Sequence, residues 1–230
     1  MHPFAQLDYE QLQALVQHRF ARAGGTRPAV TLLQQGDTRA VLKDYHVCSG
    51  WFRWLIAPLL VWREVRALKK LAGMRGIPPL VQQVDRLCFA LEYLPAARLA
   101  RKKRGEWPQP NWASLDALIA EMHERGLAHC DLRRSSNILF DEAGEPYLVD
   151  FVAHVQRGGN WNLPWNWAFE RFCRADRTAV SKLKQRVQPE ALTSQEQALL
   201  DHRSLLDDTA RGFGQSVRKL SQWMSGGSSR

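Results

Sequence analysis

His129-Cys130-Asp131-Leu132-Arg133-Arg134-Ser135-Ser136-Asn137-Ile138-Leu139 is the stretch on which the reading of this chain turns. It opens with His-x-Asp and closes with Asn ahead of an apolar pair. Thirteen residues beyond Asn137, the run Tyr147-Leu148-Val149 leads into Asp150-Phe151. Each piece alone is weak, because Asp and Asn are common turn and cap residues. In this order, with room for one short hairpin between Asn137 and Asp150, they suit phosphoryl transfer from ATP to a hydroxyl. Asp131 is the candidate base that orients the acceptor and takes its proton. Arg133 can place a guanidinium on the moving phosphoryl group. Asn137 and Asp150 are hard oxygen ligands of the kind Mg²⁺ takes.

Working toward the N-terminus, Ala40-Val41-Leu42-Lys43 reads as a strand with Lys43 near its end. A phosphate-binding lysine belongs there, paired with a glutamate on the next helix. Glu64, within Trp62-Arg63-Glu64-Val65-Arg66, has that position. The bland alternative is a lysine on a solvated strand face and an unrelated surface glutamate.

The rest of the chain is consistent with a mixed α+β protein. Tyr9 to Phe20 is expected to form a short helix. Ala21 to Pro28 is a loop by its Gly and Pro content. Ala29–Leu33 and Arg39–Tyr45 read as a strand pair around Gln35-Gly36-Asp37, and Leu80–Val84 and Leu87–Leu91 as a second pair around Asp85-Arg86. Between them lie a strongly apolar stretch, Trp51 to Trp62, and a helix from Arg63 to Leu71. Pro58 argues for a break inside that stretch. Trp112 to Arg125 is an amphipathic helix with Gly126 after its end. The segment through Trp161, Trp165 and Trp167 reads as loop, and Phe169 to Lys184 as helix. Thr193-Ser194-Gln195-Glu196 is a capping box that starts a last helical region, with Gly212 and Gly214 as a break. Three parts are expected: an N-terminal nucleotide-binding lobe over residues 1–91, a C-terminal catalytic lobe over 92–224, and a flexible tail over 225–230.

Composition bounds the partners. A net charge of +9 and a pI near 9.8 favour an anionic partner. Four separated cysteines with no C-x-x-C pair argue against a zinc site and a disulfide scaffold, and for reduced thiols in a cytoplasmic protein. The first residues lack a secretory signal, and no uncharged apolar run reaches about 18 residues. Two readings of Trp51 to Trp62 stay open: a buried helix, or an interfacial anchor on the inner face of the cytoplasmic membrane. The Arg101-Lys102-Lys103-Arg104 run is a solvated loop or, with Arg157, Arg171, Arg174 and Arg177, an anion-binding rim. No helix combines clustered basic residues with base-reading spacing, so nucleic acid is not the expected partner. His129-Cys130-Asp131 holds the residue types of a thiol hydrolase, but adjacent side chains project in different directions.

The order V-L-K, W-R-E, H-x-D-L-R, N-I-L and L-V-D-F, over roughly Arg22 to Lys184, resembles the protein-kinase-like superfamily. Within it the chain is most similar to the bacterial kinases of the lipopolysaccharide core, the Kdo and heptose kinases. The resemblance implies a two-lobed fold, with a small antiparallel-sheet N-lobe and a short, mainly helical C-lobe. It implies ATP and Mg²⁺ as cofactors and a sugar of a lipid-linked, anionic glycan as acceptor. It makes Glu92 to Leu94 the hinge that meets the adenine, Gly24 and Gly25 the phosphate cover, and Asp176 a buried brace for the catalytic loop. The chain departs from the family pattern in lacking G-x-G-x-x-G. Asn137 also comes one residue later after Asp131 than is usual, Val152 replaces the Gly of D-F-G, and there is no A-P-E triplet. A protein serine/threonine kinase and a non-catalytic pseudokinase binding module are the alternatives.

Overall fold

The computed structural model describes residues 2–20, 23–98, 109–159 and 161–201. The chain divides into two compact units between Leu94 and Pro95.

The first unit is built on a five-stranded antiparallel sheet in the order β1-β2-β3-β5-β4. Its strands are β1 (Val16–Arg19), β2 (Ala29–Gln35), β3 (Thr38–Asp44), β4 (Leu80–Gln83) and β5 (Cys88–Glu92). Along β3 the side chains alternate. Ala40 and Leu42 enter a core with Phe4, Leu12, Leu33, Cys88 and Ala90, while Lys43 belongs to the opposite face. Tyr9–Ala14 is a helix (α1), capped by Asp8, which accepts from the Gln11 N–H at 2.9 Å while Gln11 returns a bond to the Asp8 N–H. The helix expected to run to Phe20 therefore stops at Ala14, and Val16 to Arg19 pair with β2 instead. Strand pairing outweighs the weak helical preference of Val16-Gln17-His18.

Helix α2 (Ala57–Lys70) is preceded by a π-helical turn, Phe52–Ile56. Pro58 does not break the segment, contrary to the sequence expectation. It lies at the start of α2 directly after the π-helical turn, and that wide turn gives its ring room. The buried face carries Phe52, Ala57, Val61, Glu64, Val65 and Leu68. The opposite face leaves Trp51, Trp54, Leu55, Leu59 and Trp62 exposed.

The second unit is mainly helical. Helix α3 (Trp112–Glu124) buries Leu115, Leu118, Ile119 and Met122 and ends at Gly126, whose φ of 72° suits the residue after a helix. Two small sheets follow. One pairs β6 (Ala97–Arg98), β8 (Ile138–Phe140) and β9 (Pro146–Leu148). The other pairs β7 (Leu127–Ala128) with β10 (Val155–Gln156). Helix α4 spans Leu163–Val187 and so takes in Trp165 and Trp167, which the sequence reading left in a loop. The start is coded by Asn162, whose side chain accepts from the Trp165 N–H, with Pro164 in the first turn. Helix α5 (Ser194–Asp201) starts at the expected capping box: Thr193 Oγ1 accepts from the Glu196 N–H at 3.2 Å, and Glu196 accepts from the Thr193 N–H at 2.9 Å. The basic run Arg101–Arg104, the Gly212/Gly214 break and the tail over 225–230 lie outside the described residues.

Candidate active site

In the first unit, β3 and α2 bring Lys43 and Glu64 together. The ammonium Nζ lies 2.6 Å from Glu64 Oε2, and both residues are buried. Burying both ions is costly unless they meet at hydrogen-bond distance, and here they do. Gly24 and Gly25 lie in the turn between β1 and β2, at φ 119° and 63°. No neighbour stands within 4 Å of where either Cβ would be. The backbone conformation, not crowding, is what demands glycine there. Once Val16–Arg19 is a strand, this turn is a glycine loop between the first two strands, which the helical reading of that segment hid. Glu92 ends β5, donating its N–H to the Pro79 carbonyl at 2.9 Å. Tyr93 donates to the Arg39 carbonyl at 3.4 Å, and Leu94 closes the unit.

In the second unit, the catalytic-looking segment is held from beneath by Asp176 of α4. This carboxylate is 1% exposed. It accepts from the His129 N–H at 2.7 Å and the Cys130 N–H at 2.9 Å, and Oδ2 also meets His123 Nε2 at 3.1 Å. Those bonds hold Cys130 at φ 66°, a left-handed conformation that costs a non-glycine residue about 1–3 kcal/mol. The His129 ring is fixed in turn: Nε2 donates to the Val149 carbonyl at 3.1 Å, and Nδ1 accepts from the Asp131 N–H at 3.3 Å. Phe151, fully buried, packs on it with ring centroids 4.8 Å apart.

Asp131 and Asn137 converge. The Asn137 amide donates to the Asp131 backbone carbonyl and to Asp131 Oδ2, both at 3.1 Å. The extra residue between them is taken up by a single 3₁₀ turn, Ser135–Asn137. Beyond it, Ile138 pairs with Leu148 across the hairpin, and the Val149 N–H donates to the Asn137 carbonyl at 3.0 Å. That register brings Asp150 back beside Asn137. Asp150 itself sits at φ 69°, the second strained non-glycine residue of the described chain. Burial raises the Asp131 carboxyl above its ordinary value, and nearby Asp150 pushes the same way. Arg134, His129 and the Asn137 bond oppose this without cancelling it. A base with raised affinity for a proton, next to an amide and a second carboxylate, is able to accept a hydroxyl proton beside a hard cation. Asn137 and Asp150, beside it, are oxygen donors of the type that fits Mg²⁺.

Arg133 and Arg134 differ from the sequence expectation. Arg134 Nε lies 3.6 Å from Asp131 Oδ2, whereas Arg133 is exposed and lines a separate pocket. Sequence reasoning passed over Arg134, although a turn that returns its N–H to the Asp131 carbonyl at 3.3 Å puts residue i+3 next to the carboxylate. Among the described residues one further metal-type cluster exists, Asp44, His46 and Cys88. Burial first, and Asp44 second, push the Cys88 thiol far up.

The fold is that of protein kinases. Solved structures of the Rio2 kinase from Chaetomium thermophilum align with a TM-score of 0.59 at 17% identity, over 90% of this chain and 74% of that one. A complex of the same kinase with ADP, Mg²⁺ and phosphoaspartate aligns at 0.57 and 18%, over 82% and 64%. In sequence, the chain is similar to 3-deoxy-D-manno-octulosonic acid (Kdo) kinase. It is 30% identical to that of Xylella fastidiosa strain 9a5c over 98 residues, 38% of this chain and 39% of that protein. It is 40% identical to that of strain M23 over 53 residues, 23% and 21% of the two. The chain therefore matches well under half the length of these curated relatives. No family model matches it.

Proposed function

We propose that this chain is an ATP- and Mg²⁺-dependent phosphotransferase acting on a hydroxyl of a lipid-linked, acidic sugar, as a Kdo-type kinase of the lipopolysaccharide core. The carrying observation is the convergence of Asp131 and Asn137, with the hairpin returning Asp150, on a loop braced by Asp176. In this reading Asp131 orients the acceptor hydroxyl and receives its proton as the new O–P bond forms and the bond to the leaving ADP oxygen breaks. Asn137 and Asp150 would hold Mg²⁺, which would supply neutralisation of phosphate charge there. Lys43, fixed by Glu64, holds the nucleotide phosphates, with Gly24 and Gly25 as their backbone cover. Glu92 and Leu94 receive the adenine. The sugar acceptor rests on the local similarity to Kdo kinases and on the +9 charge.

The test is phosphate transfer from ATP, followed with wild type and Asp150→Asn, with and without deacylated lipopolysaccharide core. Glycan-dependent transfer lost in the variant is expected. Transfer to generic protein substrates instead makes the chain a protein kinase. Nucleotide binding without transfer to either leaves a binding module, and absence of nucleotide binding removes the kinase reading.

The same reading places the enzyme at an anionic membrane surface. Trp51, the pair Trp54-Leu55, Leu59 and Trp62 follow one another at helical steps of three or four residues along the π-turn and α2, and all five are exposed. Trp54 is 55% and Leu55 69% exposed. Arg53 and Arg86 stack on Trp54 at 5.2 and 4.9 Å, and Arg66 on Trp62 at 5.2 Å. Tryptophan with arginine at its rim is the chemistry of an acidic interface. No helix of the described residues is long and apolar enough to cross a membrane. Vesicles of phosphatidylglycerol and phosphatidylethanolamine are expected to sediment with the protein, and Trp54→Ser with Leu55→Ser to weaken this at least tenfold. Equal behaviour of wild type and variant would sink the membrane assignment.

A further inference from the structure

Helix α4 treats its cations in two ways. Lys184 is buried and meets Asp116 Oδ2 and Glu196 Oε1, each at 2.6 Å. Lys182 and Arg186, one turn apart on another face, have no ion pair among the described residues, and neither has Arg133. These three cations line one pocket of about 200 Å³. Its remaining lining is Ser135, Leu132, Ala179 and Leu183, with no carboxylate among them. Like charges four residues apart on a helix repel by a few tenths of a kcal/mol. Arg186 alone would be explained by its place in the last turn, where the helix dipole favours a cation. That argument does not extend to Lys182, or to Arg133 on the catalytic loop.

The pocket is rigidly tied to the candidate base. Leu132 follows Asp131 directly and is buried. Asp176, less than one turn before Ala179 on the same helix, clamps the loop through His129 and Cys130. A group seated among Arg133, Lys182 and Arg186 is thus held on the loop that carries Asp131.

We propose that this pocket binds an anionic group of the acceptor, a carboxylate or a phosphate, and so presents the acceptor hydroxyl to Asp131. The assignment deepens the reading of the chain as a sugar kinase and rests on it for the word acceptor. The occupant is recognised by chemistry alone: a single anion, with Ser135 as an additional hydrogen-bond partner and an apolar floor of Leu132 and Leu183 under the sugar. Kdo is an octulosonic acid and carries a carboxylate, and a phosphate on the glycan would present the same kind of anion, so either source supplies the required group.

The experiment measures binding, so that it does not depend on turnover. Deacylated, Kdo-containing core oligosaccharide is titrated into the full chain by calorimetry, with wild type, Lys182→Gln/Arg186→Gln, and Lys69→Gln as an exposed control on α2. The Mg²⁺ complex of a non-hydrolysable ATP analogue is titrated in parallel. Oligosaccharide affinity is expected to fall at least tenfold in the double variant and to stay within twofold in the control, with analogue affinity and melting temperature unchanged. Core treated with phosphatase, and core with its carboxyl groups reduced, tell which anion is read: the one whose loss weakens wild-type binding and abolishes the difference from the double variant. Oligosaccharide that binds wild type and double variant equally, or does not bind wild type at millimolar concentration, overturns the proposal. Loss of analogue binding in wild type would instead strike the kinase reading and leave the oligosaccharide result to stand or fall by itself.

Discussion

The second unit holds one buried and one half-buried charged centre, Lys184 and Asp131, that behave in opposite ways. At Lys184, burial by itself would lower the ammonium's proton affinity. The hydrogen bonds to Asp116 and Glu196 outweigh it, and the group ends above its ordinary value. At Asp131, the opposing influences of Arg134, His129 and Asn137 fall short of the desolvation, and the carboxyl also ends above its ordinary value. For a base, a raised value means a better chance of charge favouring the paired form; for an acid, it means that the ionised form is unfavourable in the fold. Lys184 is a satisfied tie between α3, α4 and α5. Asp131 is a carboxylate whose partners, the Asn137 amide and Arg134, do not make up for its desolvation, and groups perturbed in this way mark chemistry more often than stability.

Four substitutions test this contrast. The largest effect is expected for Asp131→Asn. Turnover with the core acceptor should fall by about 10²–10⁴, the usual contribution of a positioned acid–base group. The apo protein should not lose stability. The sign follows from the raised value: Asp131 favours the fold when protonated, below its ordinary value of 3.8, and this contribution is lost as pH rises through the folded value. Melting temperature at pH 7 should therefore hold or rise. A large drop in melting temperature would make Asp131 a structural residue. The acid limb of kcat/KM should lie above 3.8.

Next comes Asp176→Ala, which leaves the His129 and Cys130 N–H groups without acceptors and releases the strained Cys130. A loss of about 2–4 kcal/mol is expected in urea unfolding, from two charge-assisted bonds to buried donors. Turnover should fall even where the variant is fully folded. Normal turnover in folded variant would show that the loop holds its shape without its brace.

Lys184→Met should cost about 2–3 kcal/mol, because two charge-assisted bonds are lost while Asp116 keeps access to water. Turnover at permissive temperature should be unchanged. The pH window can be checked with the same variant. Lys184 stabilises fully below its ordinary 10.5 and less as pH rises through its folded value. Glu196 is lowered: burial alone would raise it, but Lys184 and Thr193 prevail, so its contribution is present above 4.5 and lost as pH falls through the folded value. The difference between wild type and variant should thus be largest between these limits and shrink outside them. Smallest is Cys130→Gly, which relieves a left-handed residue but frees the unfolded chain, and should shift stability by no more than about 1 kcal/mol either way.

Much of the fold could be read from residue order, because the signals were local. The strand pairs β2–β3 and β4–β5 carry turn residues between β-formers, α3 carries its apolar spacing and its closing Gly126, and α5 carries its capping box. The hairpin from Asn137 to Asp150 follows from two short apolar runs around Asp141 to Glu145. The failures are also local in origin. Val16 to Arg19 fit a helical period but found a partner in β2, and pairing with a distant strand leaves no mark in a twelve-residue window. Trp165 and Trp167 looked like loop because aromatics hid the cap at Asn162 and the Pro at the first turn. Arg134 was passed over because a turn, and not the sequence spacing, chose it over Arg133 as the neighbour of Asp131.

The sequence by itself determined the kind of chemistry: an H-x-D loop, an Asn, and an Asp-Phe, whose order alone points to oxygen donors around a transferred phosphoryl group. It also marked Trp51 to Trp62 as strongly apolar, and left open whether that segment is buried or lies at an interface. Which side of α2 the core would take was decided by tertiary structure, since periodicity marks a stripe but not whether another element covers it. Tertiary structure likewise made Lys43 meet Glu64, closed the extra residue before Asn137 with a 3₁₀ turn, and buried Lys184 in its ion pairs while Lys182 and Arg186 form none among the described residues. The physical reason is common to all of these. Charge and hydrophobicity belong to the residue, but desolvation and pairing belong to what folds against it.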